Sequence, residues 1–581
     1  MMRSLLAWLA PASLLLASCA TLPGPTAPAV PTAPIAIRER AFVIAANPLA
    51  AEAGMAVLRR GGTAVDAAVA VQAMLGLVEP QSSGIGGGTF LHFYDGRTHR
   101  TTLYDGREVA PAQATPTMFL GPDGRPLPFE TAVHSGRSTG VPGAVRTLEL
   151  AQREHGALPW SSLFGDAEQT ADRGFRVSPR LARLVVTYGP QMMTTDVPRY
   201  FMKADGTWLQ VGDRLSNPAY AAFLRRLAAN GSRALLEGET AARIVARTHQ
   251  GAYPGTLTMA DLAAYRPIKR ESLCAPWRIY LVCTPPPPAS GVGLLELLKI
   301  TERTDMAQRG PNDPQAWSIF AQASQLMYAD RDRYVGDPAF VAVPVAGLLA
   351  PEYIARRAQL IAPVAGPPPA PGLPAGATVV GADRTREPTG TSHFIVRDSD
   401  GNVVSMTTTV ESIFGSGRMV DGFFLNNQLT DFDFSPINAQ GLPAANAVAP
   451  GKRPRSSMVP TILLTADGQF AGAIGSAGGS AILAYVAKSL VAAVDWRLPM
   501  QEAIALPNLV ARGPALQGEV TKFSPAILAG LRARGIDLQP GQGEDSGVHG
   551  VLIRNGVVDG GFDPRREGAV LIDTSGTRPR R

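Results

Sequence analysis

A threonine that follows a glycine is the strongest candidate for chemistry in this sequence. Thr391 stands in the stretch EPTGTSHF (Glu387–Phe394), directly after a segment rich in proline, alanine and glycine. A threonine at a chain N-terminus can attack a carbonyl carbon with its hydroxyl and use its own α-amine as the base. This requires the bond between Gly390 and Thr391 to break, and a glycine there lets the backbone fold onto the hydroxyl. The sequence predicts a nucleophile uncovered by cleavage, with an ordinary loop end as the alternative.

Three segments downstream offer the other groups that acyl transfer needs. GSAGGS precedes a helical pattern, where backbone N–H groups can stabilise an oxyanion. NNQLTDF carries polar and acidic groups, and KRPRSSM carries basic groups and paired hydroxyls, which together suit an α-amino acid zwitterion. Each segment alone is typical of a turn, a cap or a solvated loop. Their order and spacing make the combination specific.

Other motifs are weaker candidates. Gly136–Gly140 matches the G-x-S-x-G pattern with Ser138 as nucleophile, but that elbow needs a helix immediately afterwards and Pro142 follows instead. The run Gly84–Gly88 lacks the Lys-Ser/Thr pair of a phosphate-binding loop, which favours a tight turn before a strand. His393 is interpreted as a structural residue, because the α-amine already supplies the base.

Composition excludes several classes of protein. A hydrophobic content of 45% with 18% charged residues predicts a globular chain with a large core. The net charge is +6, from 54 basic and 48 acidic residues, and the arginines form no basic stripe, so no nucleic-acid partner is expected. The 7 histidines are dispersed, and neither a metal nor a cofactor is expected.

The N-terminus predicts export. Residues 1–18 read as a secretory signal with an apolar stretch, and Leu16–Cys19 resembles a bacterial lipobox. Cleavage before Cys19 would leave that residue to carry a lipid anchor, and residues 19–40 form a proline-rich tether. Ala20 after the cysteine favours the outer membrane, facing the periplasm. The alternative is an ordinary signal peptide and a soluble periplasmic protein.

The two remaining cysteines flank a short strand-like stretch. Cys274 and Cys283 would pair in an oxidising periplasm if they lie close together, and two buried thiols are the alternative.

The order of secondary-structure patterns predicts a layered α/β domain. Helical periodicity dominates residues 141–360, whereas strands and turns take over from Ser392 onward. The sequence contains no internal repeat.

The ordered motifs resemble those of the γ-glutamyltransferases, or glutathione hydrolases, which are N-terminal-nucleophile (Ntn) hydrolases. The resemblance runs from about residue 45 to the C-terminus and is carried by the following stretches: ANPLAAEAGMAVLRRGGTAVDAAVAVQ, VEPQSSGIGGGTF, DGREVAPA, GVPGAV, PPPPASG, TSHFIVRDSDGNVVSMT, FLNNQLTDF, KRPRSSMVPTI and GSAGGS. It implies an α/β fold, the four-layer αββα sandwich of Ntn hydrolases, built from two chains of one autocleaved precursor. The large subunit would span 41–390 with a flexible end at 363–390, and the small catalytic subunit would span 391–581.

The resemblance also implies roles for the catalytic groups. Autocleavage between Gly390 and Thr391 would free Thr391 as the nucleophile. Thr409 matches the threonine that orients its hydroxyl, and Gly478 and Gly479 match the oxyanion hole.

A second set of residues matches the groups that bind the glutamyl head. Arg107 matches the arginine that pairs with the α-carboxylate, for which a bidentate guanidinium is well suited. Ser456 and Ser457 match the hydroxyls that assist it. Gln428 and Asp431 match the groups that hold the α-ammonium.

Three departures from the family pattern bear on specificity. Glu411 stands where many members have asparagine, and a carboxylate can still bind the ammonium. Thr430 replaces the first of two consecutive aspartates. The segment 433–454 is shorter than the lid of members with a closed pocket and contains no tyrosine, which predicts an open site that favours hydrolysis over transpeptidation.

The expected function is therefore an autoprocessing γ-glutamyl hydrolase/transferase. It would cleave glutathione and related γ-glutamyl compounds and pass the acyl group to water or to amino acid or dipeptide acceptors, as a heterodimer of its two subunits. One alternative is an acylase of the same family acting on glutaryl or poly-γ-glutamyl substrates. The other is an uncleaved, non-enzymatic lipoprotein that uses the fold as a binding module.

Overall fold

The computed structural model describes most of the chain after the tether, namely residues 40–381, 383, 385–438, 441–541 and 546–574, apart from the side chain of Ala515. The predicted signal, Cys19 and all but the last residue of the tether lie outside the described residues.

The strands of the described residues are, in chain order, β1 (Phe42–Ala45), β2 (Gly88–Asp95), β3 (Arg100–Gly106), β4 (Phe175–Arg176), β5 (Arg214–Leu215), β6 (Ile268–Arg270), β7 (Leu273–Trp277), β8 (Tyr280–Thr284), β9 (Ser392–Arg397), β10 (Val403–Thr409), β11 (Met419–Val420), β12 (Phe423–Phe424), β13 (Thr461–Leu464), β14 (Phe470–Gly475), β15 (Leu509–Arg512), β16 (Ala515–Gly518), β17 (Gln539–Pro540), β18 (His549–Arg554), β19 (Val557–Phe562) and β20 (Ala569–Ile572).

The α-helices of the same residues are α1 (Pro48–Arg59), α2 (Ala64–Val78), α3 (Phe129–Val133), α4 (Ala144–His155), α5 (Gly165–Arg173), α6 (Pro179–Tyr188), α7 (Val197–Phe201), α8 (Pro218–Asn230), α9 (Arg233–Leu236), α10 (Gly238–Thr248), α11 (Met259–Ala264), α12 (Gly291–Glu302), α13 (Met306–Arg309), α14 (Pro314–Tyr334), α15 (Val345–Leu348), α16 (Pro351–Ala358), α17 (Ile482–Val494), α18 (Met500–Ala505) and α19 (Pro525–Arg532).

Two antiparallel sheets form the centre of the molecule. The first has seven strands in the order β20-β1-β9-β10-β2-β3-β6, and the second has six in the order β19-β18-β14-β13-β8-β7. Apolar side chains from both sheets meet in one buried cluster that includes Phe42, Ile395, Ile462, Ala473 and Val551. Because strand side chains alternate between faces, each sheet presents a second apolar face outward.

Helices cover both outer faces. The helices α1, α2 and α4–α10 share a core with the seven-stranded sheet, and α12, α14 and α17–α19 share a core with the six-stranded sheet. The helix α2 is buried along its whole length, as expected for a segment that is apolar nearly all round. The layers therefore run helix, sheet, sheet, helix. No helix of the described part is both long and apolar enough to cross a membrane.

The two predicted subunits share both sheets. In the seven-stranded sheet, β9 lies between β1 and β10, and β10 in turn pairs with β2. In the six-stranded sheet, β13 pairs with β8. Cleavage before Thr391 would cut the chain without separating these hydrogen-bonded strands, so the two products would remain one folded body.

Local sequence explains where the first helices begin. Asn47 accepts a hydrogen bond from the N–H of Leu49, and Pro48 occupies the first position of α1. Thr63 and Asp66 form a reciprocal capping box at the start of α2.

The structure pairs Cys274 with Cys283 in a disulfide that joins the adjacent strands β7 and β8.

The stretch 363–390, expected to be flexible, is held at several points in the intact chain. The N–H of Ala365 donates to the carbonyl of Arg534, and the N–H of Gly372 donates to the carboxylate of Asp330. Gly381 donates to the carbonyl of Pro443. These partners are distant in sequence and hold the stretch in the intact chain, and its flexibility after cleavage stays a prediction.

The two sheets approach closely beside the start of β9, and this contact is testable. A Cβ on Gly475 in β14 would lie 2.5 Å from Nδ1 and 2.7 Å from Nε2 of the buried His393 ring, which cannot swing into solvent. We expect Gly475→Ala to push β9 and β14 apart, lower the thermal unfolding midpoint by several degrees and slow cleavage before Thr391. Gly165→Ala is the control, because a Cβ there meets nothing within 4 Å. Equal midpoints for the two variants would contradict the close packing of the sheets.

Candidate active site

Thr391 lies immediately before β9 in an uncommon backbone conformation. Its φ is 114°, a region in which a β-branched residue is strained by about 1–3 kcal/mol. Its N–H donates to the carbonyl of Ser82 at 2.8 Å, and its own carbonyl accepts from Arg566 Nη1 at 2.8 Å. Breaking the bond to Gly390 would remove this φ constraint, so cleavage relieves the strain that the sheet imposes on the intact chain.

The hydroxyl of Thr391 is oriented by the end of the neighbouring strand. It donates to Thr409 Oγ1 at 3.0 Å, and that oxygen also accepts from the N–H of Glu411 at 2.8 Å. Thr409 is the last residue of β10, which pairs with β9, so the sheet itself fixes the distance between the two threonines. A Cβ on Gly87 would collide with the Thr409 carbonyl, which explains a glycine in that turn.

The glycines at the site are required by close backbone contacts. A Cβ on Gly390 would overlap the carbonyl of Glu411, so only glycine fits before Thr391. Gly478 and Gly479 have φ values of 131° and 54°, and they precede α17, whose N-terminal N–H groups can stabilise negative charge. In the intact chain Gly479 lies against the carbonyls of Glu387 and Pro388.

The acidic end of the site is deeply buried. Gln428 Nε2 donates to Asp431 Oδ2 at 2.6 Å, and Glu411 Oε2 accepts from Asn427 Nδ2 at 2.8 Å. Burial raises the pKa of Glu411 well above its ordinary value, and repulsion from Asp431 raises it further. Burial also raises the pKa of Asp431 and brings the pKa of Glu108 to about 8, although Arg107 opposes both shifts. An ammonium group would supply a positive charge beside Glu411, whose carboxyl contacts the uncharged side chains of Asn427 and Ser412.

In the intact chain, the guanidinium of Arg107 is hydrogen-bonded to other groups of the protein. Its Nη2 donates to Asp431 Oδ2 at 2.5 Å and to the carbonyl of Arg455 at 2.6 Å, and its Nε donates to the carbonyl of Pro454 at 3.1 Å. A substrate carboxylate would have to compete with these partners.

The structure brings most of the predicted residues together around one small cavity of about 20 Å³, which Glu387 and Pro388 also line. The predicted residues on its wall are Arg107, Thr391, Thr409, Glu411, Gln428, Asp431, Ser456, Ser457 and Gly479. Gly390 and Gly478 are not on that wall, although each adjoins a residue that is.

The chain is similar to known proteins along most of its length. The model of a family described as gamma-glutamyltranspeptidase matches residues 50–572. The chain is 36% identical over 543 residues to a glutathione hydrolase proenzyme of Bacillus subtilis (strain 168), covering 91% of each protein.

The chain belongs to the γ-glutamyltranspeptidase family. It is also 33% identical over 507 residues to the acylase ACY 1 proenzyme of Pseudomonas sp. (strain SE83), covering 85% of this chain and 87% of that one. The cephalosporin acylase structure from Bacillus halodurans has a TM-score of 0.81 at 26% identity and covers 94% of this chain and 98% of that one. The Ntn-hydrolase fold predicted from the sequence is confirmed.

Several groups at the site were not found from the sequence. Ser82 and Arg566 hold the main chain of Thr391. Glu387 is the first residue of the stretch EPTGTSHF, and the sequence alone suggested no role for it. In the structure, Arg331 and Arg455 bind its carboxylate. These groups come from distant parts of the chain, and no local pattern distinguishes them from ordinary charged or hydroxyl residues.

The weaker candidate motifs have structural roles in the fold. The hydroxyl of Ser138 donates to the carbonyls of Val133 and Ser135, so it binds main-chain oxygens and not a general base. Nδ1 of His393 lies 2.8 Å from Thr407 Oγ1, and burial lowers the pKa of this ring well below its ordinary value. Within the described ranges, no group of three or more His, Cys, Asp or Glu is arranged to hold a metal ion.

The segment 433–454 packs against the residues that precede Thr391. The side chain of Asn446 donates to the carbonyl of Asp431 at 2.6 Å and to Thr385 Oγ1 at 3.1 Å. Asn446 therefore ties this segment to Asp431 and to the residues before Thr391, although the described residues of 433–454 do not line the small cavity.

The raised carboxyl pKa values predict how substrate binding responds to pH. Burial favours the protonated form of Glu411 in the empty site, whereas a bound ammonium would favour its ionised form and lower its pKa, so that binding releases a proton. We expect KM for an α-amino substrate to fall as pH rises above the ordinary titration range of a glutamate, because Glu411 then loses its proton more readily. The measurement is the ratio of this KM to that of the same substrate without the α-amine, since titration of the nucleophile cancels in the ratio.

Glu411→Gln is the matched variant, because glutamine keeps the shape of the side chain but does not titrate. It should flatten the KM ratio. A ratio that is independent of pH in the parent protein would contradict ammonium recognition by the buried acids.

Proposed function

We propose that this protein is a self-activating γ-glutamyl hydrolase/transferase with Thr391 as its nucleophile. The observation that carries the proposal is the Thr391 hydroxyl, 3.0 Å from Thr409 Oγ1, on a cavity lined by an arginine, paired serines and buried acids. Membership of the γ-glutamyltranspeptidase family supports both the reaction and the substrate class.

Self-activation is an intramolecular acyl shift. Thr391 Oγ1 attacks the carbonyl carbon of Gly390, the C–N bond breaks, and the freed nitrogen of Thr391 takes up the hydroxyl proton. Water then hydrolyses the resulting ester, which leaves a carboxylate on Gly390 and restores the hydroxyl beside a new α-amine. The amine is the base that the mature nucleophile requires.

The mature reaction repeats this chemistry on a substrate. Thr391 Oγ1 attacks the γ-carbonyl of the bound glutamyl group, and the α-amine passes the hydroxyl proton to the leaving amine. Gly478 and Gly479 stabilise the oxyanion. Water or an acceptor amine of an amino acid or dipeptide then attacks the ester, giving glutamate or a new γ-glutamyl amide. Glutathione is the expected substrate, because the glutathione hydrolase of Bacillus subtilis is a close relative along 91% of its length.

An acylase activity is the second candidate. It is favoured by the acylase ACY 1 relative from Pseudomonas sp. (strain SE83) and by the likeness to the cephalosporin acylase of Bacillus halodurans. The two candidates differ in what they require of the acyl group, because buried Glu411 and Asp431 should bind an α-ammonium and reject a glutaryl group that lacks it. Rates on γ-glutamyl and glutaryl anilides, measured side by side, separate them.

We also propose that the protein is exported and anchored through a lipid on Cys19, on the periplasmic side of the outer membrane. The lipobox sequence supports this, and Cys19 lies outside the described residues. In fractionated cells, Cys19→Ala should move the protein from the membrane to the soluble periplasm. A parent protein that is already soluble would overturn the anchor.

The role of Thr391 predicts a linked loss of processing and activity. We expect parent protein to give two chains by intact mass, the smaller beginning Thr-Ser-His-Phe. Thr391→Ala should give one uncut chain without γ-glutamyl activity, because both steps need the same oxygen. Thr391→Ser should retain processing and part of the activity.

The matched control is Ser138→Ala, which removes a hydroxyl from the competing motif and should preserve both processing and activity. A processed and active Thr391→Ala protein would refute the mechanism. An uncut parent chain would favour the binding-module alternative.

A further inference from the structure

The carboxylate of Glu387, shortly before the cleavage site, occupies a complete anion-binding site. Arg331 Nη1 and Nη2 lie 2.7 and 2.8 Å from its two oxygens, and Arg455 Nη2 lies 3.0 Å away. Ser457 Oγ also donates to this carboxylate. Both arginines are fully buried, so the site is built into the protein and is not a surface contact.

Electrostatics show how strongly this anion is held. Burial alone would raise the pKa of the Glu387 carboxyl, but the charges of Arg331 and Arg455 outweigh burial and hold the pKa well below its ordinary value. Glu387 is therefore a carboxylate at neutral pH.

The surrounding ion-pair cluster is neutral only while Glu387 is present. Three arginines face three acids, namely Arg331, Arg455 and Arg512 against Asp332, Asp383 and Glu387. Departure of Glu387 alone would leave a net positive charge in a buried site. An uncompensated buried charge is strongly destabilising, so another anion would be drawn in.

Glu387 also lies at a junction between two cavities. Together with Pro388 it lines both the small cavity at Thr391 and a larger one of about 770 Å³. The larger cavity is lined in part by Phe129, Tyr188 and Ile413. Withdrawal of the segment after cleavage would join the two cavities at the position that the Glu387 carboxylate now fills.

We propose that Arg331, Arg455 and Ser457 form a carboxylate-binding site, occupied by Glu387 in the intact chain and by a carboxylate of the substrate or acceptor after cleavage. The inference rests on the proposed function for its ligand class. Two sources share this chemistry: the α-carboxylate of the γ-glutamyl head, and a carboxylate on the leaving group or acceptor. In the uncut chain Glu387 acts as a built-in competitor.

A binding measurement tests the site without relying on turnover. Glutarate is the probe and uncharged glutaramide is its control. Glutarate should add RT ln(1 + [L]/Kd) to the free energy of unfolding of the processed parent protein and so raise its unfolding midpoint, whereas glutaramide should leave the midpoint unchanged. The uncut Thr391→Ala chain should not respond, because Glu387 fills its site. Equal responses of cut and uncut protein, or no response of cut protein, would overturn the proposal.

Kinetics identify which carboxylate binds. The parent and Arg455→Met are compared on L-γ-glutamyl-4-nitroanilide, its 3-carboxy-4-nitroanilide analogue and 4-aminobutanoyl-4-nitroanilide, which lacks every carboxylate. If the site takes the α-carboxylate, KM rises about tenfold or more for the first two substrates. If it takes the leaving-group carboxylate, this loss is confined to the 3-carboxy substrate. An equal rise in KM on all three substrates, or no rise on any of them, would contradict the proposed carboxylate site.

Arg565→Met is the matched control for loss of a buried arginine, because Arg565 pairs with Glu519 and Asp563 and lines neither of the two cavities. Its ratios of KM among the three substrates should equal those of the parent. Because glutarate binding needs no catalysis, a positive binding result with no γ-glutamyl turnover would refute the proposed function and leave the carboxylate site standing.

Discussion

The position of β9 at the centre of the seven-stranded sheet is the constraint on which the site depends. Its hydrogen bonds to β1 on one side and β10 on the other fix where the strand begins. Thr391 is the residue just before that beginning, and Thr409 is the last residue of the partner strand. The positions of Thr391 and of the Thr409 hydroxyl are therefore set by main-chain pairing, which does not depend on the bond between Gly390 and Thr391. The strained φ of Thr391 follows from the same pairing, because the chain must turn sharply to leave Gly390 beside the Glu411 carbonyl.

Buried charge is the second organising feature. The site holds acids around Arg107 at one end and arginines around Glu387 at the other. Buried ions are tolerated only when paired, so each end favours a ligand of opposite charge as soon as its internal partner is lost or protonated. The intact chain supplies its own anion through Glu387, which links the state of the peptide bond at Thr391 to the charge balance of the pocket.

Much of this could be predicted from the sequence, and the reasons are local. Thr391 after Gly390, the Gly478-Gly479 pair before a helix, and Ser456-Ser457 occur as short contiguous motifs, and their order along the chain identified the family and its fold. For the segment before Thr391, the proline and glycine content predicts a flexible end once the chain is cut, and this stays a prediction. In the intact chain, partners that are distant in sequence, such as Asp330 and Pro443, hold the segment against the domain. Composition reports chain stiffness but carries no information about tertiary hydrogen bonds.

The sequence by itself determined the family and which side chains are available for chemistry: a threonine hydroxyl after a glycine, and groups suited to a zwitterionic substrate. Only the tertiary structure decided which charges meet. Arg331 lies on α14, Arg455 lies before β13, and Glu387 lies in the segment that precedes Thr391. Their side chains nevertheless share one buried site. The physical reason is that ion pairing depends on distance and burial after the chain has packed, and neither quantity is encoded in the spacing of residues along the sequence.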